Sequence, residues 1–412
     1  MAKENNNNTN NLNIPKGWQY LPFGNVFEFI PTLSLSREQL TKDEETAESI
    51  YNIHYGDIHS TYNANVLDFD RELRIPKIKD VDANIKLNTL KEGDLAIADA
   101  SEDYAGVAAC IELVNIKKRT VTGGLHTFIA RDNSGLTEQG FRTYVLKNPV
   151  VSIELKKLAT GSKVYGISKT NLATLEILLP PTKEQTQIAQ ILSTWDVSIE
   201  ILQQLIAKKS KCKKALMVLF FSLNPKSKND DRIQYTLGDV CEFLDGKRKP
   251  IKEEDRAKIK GIYPYYGASG IIDYVNDYIF DDDIILLGED GENIISRVLP
   301  LAFKVSGKCW INNHAHVLKP KAIVNIDYLT NYLENLTYEK YNTGTAQPKL
   351  NKKICEGIVV LLPSMDKQNK IASVLSAVDE EIQILKTQLT HYKQQKQGLM
   401  QVLLTGKKRV KI

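Results

Sequence analysis

Cysteine is scarce in this sequence. The five present, Cys110, Cys212, Cys241, Cys309 and Cys355, are odd in number, widely scattered and contain no CxxC pair. Neither a disulfide framework nor a zinc site is indicated. Long apolar runs are also missing: the stretch "LMVLFFSL" from Leu216 is far too short to span a bilayer and follows Lys213 and Lys214. The opening "MAKENNNNTNNLN" lacks the apolar centre of a signal peptide, so residence in the cytoplasm is expected, with residues 1–16 as a disordered Asn-rich tail. Neither sign of charge dominates. Lys and Arg total 54 against 50 Asp and Glu, a net +4, so any nucleic-acid role must rest on local basic patches or on partners.

Catalytic signatures are absent as well. The Gly-Lys pairs beginning at Gly246, Gly307 and Gly406 lack the following Ser or Thr of a phosphate-binding loop, which excludes a nucleotide-driven motor. No glycine-rich strand-to-helix turn offers a place for adenosylmethionine. The nearest string to an amino-methyltransferase motif, "LLPPTK", has Leu179 and Thr182 where an amine acceptor and an aromatic face are needed. The chain is therefore not expected to methylate anything alone. Asp281, Asp282, Asp283, Glu289, Asp290 and Glu292 read as two solvated acidic turns flanking an apolar strand, and no third ligand accompanies His314 and His316. No metal site is expected.

The chain does contain a repeat. Its 412 residues are 42% hydrophobic and 25% charged, ordinary globular usage at a length that implies two or more domains. Residues 160–223 match residues 343–406 without a gap, with roughly 18 of 64 positions identical. The pairs include Thr160/Thr343, Gly161/Gly344, Lys169/Lys352, Pro180/Pro363, Gln185/Gln368 and Asp196/Asp379. A weaker echo links "QYLPFGNVFEFI" (19–30) to "QYTLGDVCEFL" (234–244), with one residue inserted. Between these shared ends the halves have different lengths and almost no visible similarity. This reads as one duplicated unit with pseudo-two-fold symmetry.

Inside the repeat, apolar residues recur in steps of four and three: Ile188, Leu192, Trp195, Ile199, Leu202 and Ile206, and in the second copy Ile371, Leu375, Val378, Ile382 and Leu385. This is a heptad seam, interrupted near its ends by Lys209, Lys213 and Lys396. The spacing predicts a first helix from Thr182, with Gln185 completing a capping box, that ends before Asn224-Pro225. A second runs from Ser364 toward Gly406 and the cationic Lys407, Lys408 and Arg409. Each would extend roughly 60 Å. The order globule, helix, globule, helix implies an antiparallel coiled-coil pair with a mixed α/β globule at each end, an α+β architecture.

Residues 17–160 and 233–343 form the expected globules, 161–223 and 344–406 the helical regions, 224–232 a linker and 407–412 a basic tail. Six strings read as strands: "DLAIAD", "VAACIELV", "TFIAR", "DIILLGED", "LAFKV" and "HAHVLKP". Cationic, aromatic and amide side chains in loops supply phosphate and groove contacts. In the second globule the candidates are Lys247, Arg248 and Lys249, then Tyr265, Tyr266 and Ser269, with Arg297, Asn313 and His314. The first globule offers Tyr55, Asp57 and His59, then Lys117, Lys118 and Arg119, with His126 and Arg131.

The two "LLP" strings, each followed by a Gln-x-x-Ile-Ala helix ("EQTQIAQIL" and "KQNKIASVL"), resemble the conserved regions of type I restriction-modification specificity subunits. "PYYGASGIIDYVNDYIFDDDIILLGEDG" and "NHAHVLKP" resemble a target recognition domain of that family. The resemblance spans Trp18 to Gly406. It implies a non-catalytic DNA-reading subunit whose two target recognition domains read the halves of a bipartite, asymmetric site on double-stranded DNA. The helices would act as spacer and dock two methyltransferase (modification) subunits, and restriction-translocase subunits could join them. S-adenosylmethionine would lie in the methyltransferase partners, with ATP and Mg in the restriction subunits. A specificity subunit of a fused type II methyltransferase-nuclease, a free-standing DNA-binding regulator and a coiled-coil scaffold are the alternatives.

Overall fold

The structure is a computed structural model that describes residues 14–43, 46, 48–62, 65–79, 86–104, 106–222, 231–344 and 347–412. Most of the Asn-rich tail and of the 224–232 linker lies outside the described residues. The chain divides into two compact units, one of Met1–Gln204 with Thr387–Ile412, the other of Leu205–Lys386. Each therefore holds a globule, the start of the long helix that follows it and the end of the other long helix.

In unit 1 a five-stranded sheet runs in the order Phe27–Ile30, Thr127–Asp132, Leu95–Ala98, Cys110–Val114, Val66–Asp68. Leu95–Ala98 is wholly buried, as its unbroken apolar sequence requires of a central strand. In unit 2 the corresponding sheet runs Cys241–Phe243, Ala315–Pro320, Ile284–Gly288, Ala302–Val305. The registers coincide. Thr127 pairs with Ala98 as Ala315 pairs with Gly288. Ala130 pairs with Phe29 as Leu318 pairs with Phe243, and Ile97 with Cys110 as Leu287 with Ala302. The six strand strings are thus three equivalent pairs, on a frame that different sequences build in the same way.

The shared ends close each globule identically. Gln19–Pro22 pairs with Glu176–Leu179, and Ile233–Thr236 with Val359–Leu362. Gln19 meets Leu179 and Ile233 meets Leu362, which aligns 19–30 with 233–244 without the expected one-residue insertion. Gly161 has φ +131, and a Cβ there would sit 1.9 Å from the Val164 carbonyl oxygen; at Gly344 it would sit 1.8 Å from that of Gln347. Only glycine fits this loop, and both copies keep it.

The long helices run Thr182–Phe221 and Met365–Leu403. The capping box at Thr182 does not form. The backbone N–H groups of Glu184 and Gln185 donate to the Pro181 carbonyl, while the Gln185 side chain turns to the globule. Its Nε2 donates to the Pro180 and Leu136 carbonyls, both at 2.8 Å, and its Oε1 accepts from Glu138 N at 2.8 Å. Gln368 repeats the arrangement with the Pro363 and Ile323 carbonyls (3.0 and 3.3 Å) and Asn325 N (2.9 Å). The spacing that suggested a cap marks a buried staple between helix and sheet.

Seam residues Ile188, Leu192 and Leu202 are buried in unit 1, and Trp195 and Ile199 half-buried. In unit 2 Leu375 and Ile382 are buried, and Ile371, Val378 and Leu385 half-buried. Within unit 1 Trp195 meets the Tyr392 ring edge-on at 5.3 Å, and Asp196 pairs with Lys396. Within unit 2 Lys209 pairs with Glu381 and Lys213 with Asp379, both at 2.7 Å. In unit 2 rising numbers on one helix thus meet falling numbers on the other, and in unit 1 Ile188 and Leu192 share a core with Leu399 and Leu403 while Trp195, further along, meets Tyr392, so the pairing is antiparallel in both. Each globule also buries the far end of the other helix: Leu403 and Leu404 join the core of Trp18, Phe23 and Ile177, and Met217 and Phe221 join that of Tyr328, Tyr332 and Leu375.

Candidate nucleic-acid interface

The sheet frame of unit 1 gathers three of the expected residues at one end. Leu95–Ala98 delivers Asp99, Thr127–Asp132 is preceded by His126, and a short helix, Tyr55–Ser60, lies beside them. The Tyr55 ring stands 5.2 Å from His126, 4.8 Å from His54 and 6.4 Å from His59. His126 Nδ1 meets Asp99 Oδ1 at 3.0 Å, and His59 Nε2 meets the Ala100 carbonyl at 2.9 Å. Burial lifts the Asp99 carboxyl above its ordinary range, with His126 opposing. His54 is held below the usual imidazole range by its burial and by Arg37. Exposed His59 and His126 and half-buried Tyr55 thus form a polar aromatic surface.

The same end of the frame in unit 2 collects Asn313, His314 and the 267–270 loop. His314 Nδ1 meets both Asp290 oxygens at 3.0 Å. Ser269 is half-buried within that loop, and Tyr266 just before it is half-buried against Phe303 at 6.0 Å. Its carbonyl accepts from Asn312 N at 3.1 Å. Lys247 and Lys249 are exposed, with the Lys249 carbonyl fixed by Trp310 Nε1 at 2.6 Å. Beneath lies an ionic layer. Arg248 donates to Glu289 and the Ala315 carbonyl, each at 2.7 Å, and Lys349 meets Glu289 at 3.4 Å. Fully buried His316 binds Asp245 at 2.7 Å and the Leu350 carbonyl at 2.8 Å. Burial alone would lower the His316 pKa, but Asp245 and Cys355 outweigh it and lift it to about 10.

Other expected residues lie elsewhere or are already engaged. Lys117, Lys118 and Arg119 follow Cys110–Val114 at the opposite end of the unit 1 sheet, where Lys117 and Arg119 pair with Asp70. Asp57 is completely buried and bound bidentately by Arg37. Arg131 clasps Asp94 at 2.8 and 2.6 Å. Arg248 is consumed by the ionic layer, Tyr265 is buried with its hydroxyl accepting from Ile251 N, and Arg297 binds Glu334 at 3.0 Å. In these five the protein already engages the side chain: an opposite charge holds Asp57, Arg131, Arg248 and Arg297, and a backbone N–H holds the Tyr265 hydroxyl. Three residues of the acidic run are likewise paired, Asp282 with Lys319, Glu289 with Arg248 and Asp290 with His314.

Sequence reasoning missed Asp99 and Asp290, which orient the two exposed imidazoles, and Lys349. A signal existed: Ile167 and Leu350, equivalent in the repeat, donate N–H groups to the carbonyls of Asp99 and Glu289 at 2.9 and 2.7 Å. The repeated segment thus ends against the residues that build each surface.

A family model described as the type I restriction modification DNA specificity domain matches residues 15–208 and again residues 229–392. The chain is 33% identical over 142 residues to a Haemophilus influenzae chain assigned as a type I restriction enzyme specificity subunit, a match covering 34% of this chain and 36% of that relative. It is 27% identical over 371 residues to the Methanocaldococcus jannaschii chain assigned as the MjaX specificity subunit, covering 83% of this chain and 85% of the other. The fold is similar to the crystal structure of a type I restriction-modification S subunit from M. genitalium, with a TM-score of 0.62 and 20% identity across 96% of this chain and 97% of that one. Among the described residues no helix is long and apolar enough to cross a membrane.

Proposed function

The chain belongs to the type I restriction-modification DNA specificity family, and from that premise we propose that its two units read the two halves of one split, asymmetric duplex sequence. The observation that carries this reading is the pair of equivalent sheet frames with unlike surfaces: Tyr55 and His59 on one, Lys247, Lys249, Tyr266, Ser269 and Asn313 on the other. Unlike surfaces on like frames suit unlike half-sites met in a common geometry. The long helices set the unread gap between the halves.

The helices also dock two copies of a modification subunit. Ile201 and its repeat mate Ile384 are identical and 51% and 59% exposed, and Ile191 and its mate Val374 are 37% and 44% exposed. Water-facing apolar residues retained in both copies suit two copies of one partner, each covering an equivalent stripe. Base flipping and methyl transfer from S-adenosylmethionine take place in those partners. Where restriction subunits join, ATP and Mg belong to them.

The test is co-expression with the neighbouring methyltransferase in a methylation-free host, followed by long-read mapping of methyladenine. A bipartite motif that vanishes without this chain supports the reading; no modified motif from a soluble complex overturns it. The spacer role has its own readout. Four residues inserted after Ser198, with four after its mate Glu381, add about 6 Å of helix and should lengthen the unread gap by about two base pairs at about 3.4 Å each.

A further inference from the structure

The globules share almost no sequence between their repeated ends, yet one side-chain pair recurs at one position in both frames. His126 immediately precedes Thr127–Asp132, and its carbonyl accepts from Asp99 N at 3.1 Å. His314 immediately precedes Ala315–Pro320, and its carbonyl accepts from Glu289 N at 2.9 Å. Asp99 and Glu289 are equivalent by register and by the N–H each receives from the repeat. Each imidazole binds an aspartate through Nδ1, Asp99 in unit 1 and Asp290, one position further on, in unit 2. The His126 and His314 side chains are 51% and 49% exposed. His126 has φ +52, in the left-handed region that is uncommon for a non-glycine residue.

Resting on the bipartite reading above, we propose that His126 and His314 are the common backbone anchors of the two recognition units, each donating from Nε2 to a DNA phosphate at the corresponding place in its half-site. Two surfaces that read different sequences have no base in common to contact with one shared residue. The feature that both half-sites offer is the sugar-phosphate backbone. A phosphate oxygen only accepts, so Nε2 must carry hydrogen while Nδ1–H is engaged by the aspartate. The binding form is therefore the imidazolium, held between the protein carboxylate and the DNA phosphate.

The groups facing His126 are Asp99, Tyr55, His54 and His59 across the Tyr55 ring, and Lys169, whose charge acts on Asp99. Those facing His314 are Asp290, the neighbouring Glu289, Arg248 on the Asn313 carbonyl, Lys349 on Glu289, and His316 two residues on. Asp245 holds His316 protonated through neutrality. His59 shares the His126 surface, so the comparison is drawn between single variants and the wild type.

The experiment uses the complete complex with its methyltransferase partners and a labelled duplex carrying the motif it methylates. His126→Ala and His314→Ala should each lose about five- to tenfold in affinity near pH 6 and reduce the slope of log K against log salt by about one. Asp99→Asn and Asp290→Asn, which keep the packing but remove the carboxylate that holds the imidazole, should each weaken binding in the same direction. The methylated motif should stay the same in all four. Unchanged affinity and salt slope in either histidine variant would overturn the proposal, and so would a motif that relaxes at a base position, which would make the residue a base reader. A wild-type complex that neither binds nor methylates a split site would instead overturn the bipartite reading itself.

Discussion

The two units make the same ion pair from the same repeated residues, and place it in different surroundings. Asp196 and Asp379 are repeat mates, as are Lys396 and Lys213. In unit 2, Lys213 and Asp379 meet at 2.7 Å with the aspartate 49% exposed. In unit 1, Asp196 and Lys396 are 26% and 14% exposed, and the carboxylate also accepts from Tyr144 Oη at 2.6 Å and Asn65 Nδ2 at 2.7 Å. Lys147, buried and therefore lowered in pKa, binds the same Asn65. Burial and the Asp196 carboxylate raise the Tyr144 hydroxyl. One motif is thus a solvated clasp in unit 2 and the centre of a polar network joining helix to globule in unit 1.

The largest expected effect separates the two. Asp196→Ala strands Lys396, Tyr144 and Asn65 together and should cost about 3 kcal/mol. Asp379→Ala should cost no more than about 1 kcal/mol, since solvent already screens its pair. Denaturant unfolding of the full chain, with hydrogen exchange resolved by unit, measures both. Equal losses would break the contrast.

Acidity should separate the units next. In unit 1 the side chain of Glu112 is fully buried; Gly140 N donates to Oε1 at 2.8 Å, and Oε2 meets no described residue. Burial, opposed by the Gly140 N–H and Arg142, pushes its pKa up to about 7. A folded pKa above the unfolded one means stability complete in acid and lost as pH rises, here from about 4.5 to about 7. The equivalent position in unit 2 is Lys304, which pairs with Asp327 at 3.0 Å. His316 supplies the titration there. Its raised value makes its contribution complete below about 6.5 and lost as pH climbs through about 10. Protection against hydrogen exchange should therefore weaken first along Leu95–Ala98 and only later, in alkali, along Ile284–Gly288. Glu112→Gln should flatten the first window and His316→Gln the second; a single shared transition would sink this assignment.

What was legible in the sequence followed from local rules, and what was not depended on distant partners. The strand strings emerged because a buried strand must be apolar, and the long helices because a seam must repeat. The equivalence of Leu95–Ala98 with Ile284–Gly288 stayed hidden, because a frame constrains hydrophobicity and register, not identity. Asp57, Arg131 and Arg297 looked like loop charges free to bind DNA because Arg37, Asp94 and Glu334 lie far from them in sequence. Asp99 and Asp290 were passed over for the converse reason, since acidic residues beside a strand do not announce that they orient a histidine.

The smallest expected difference between the units lies at the glutamine staples, and this is where the duplication can be tested for exact energetic correspondence. Gln185 and Gln368 are nearly or fully inaccessible, at 0% and 2%, and each makes the same three bonds to the same kinds of backbone group. Removing either side chain leaves two carbonyls and one N–H short of a partner, with a cost of about 2 kcal/mol. The surroundings match in both units, unlike those of the aspartates, so Gln185→Ala and Gln368→Ala should agree to within about 0.5 kcal/mol. Glutamate at either position keeps the acceptor but loses the two donors and buries a charge, so it should be worse than alanine in both units. Paired melts of the four variants decide it. If Gln368→Ala alone is mild, the 3.3 Å bond to Ile323 contributes little and the two units differ in how firmly each globule grips its helix.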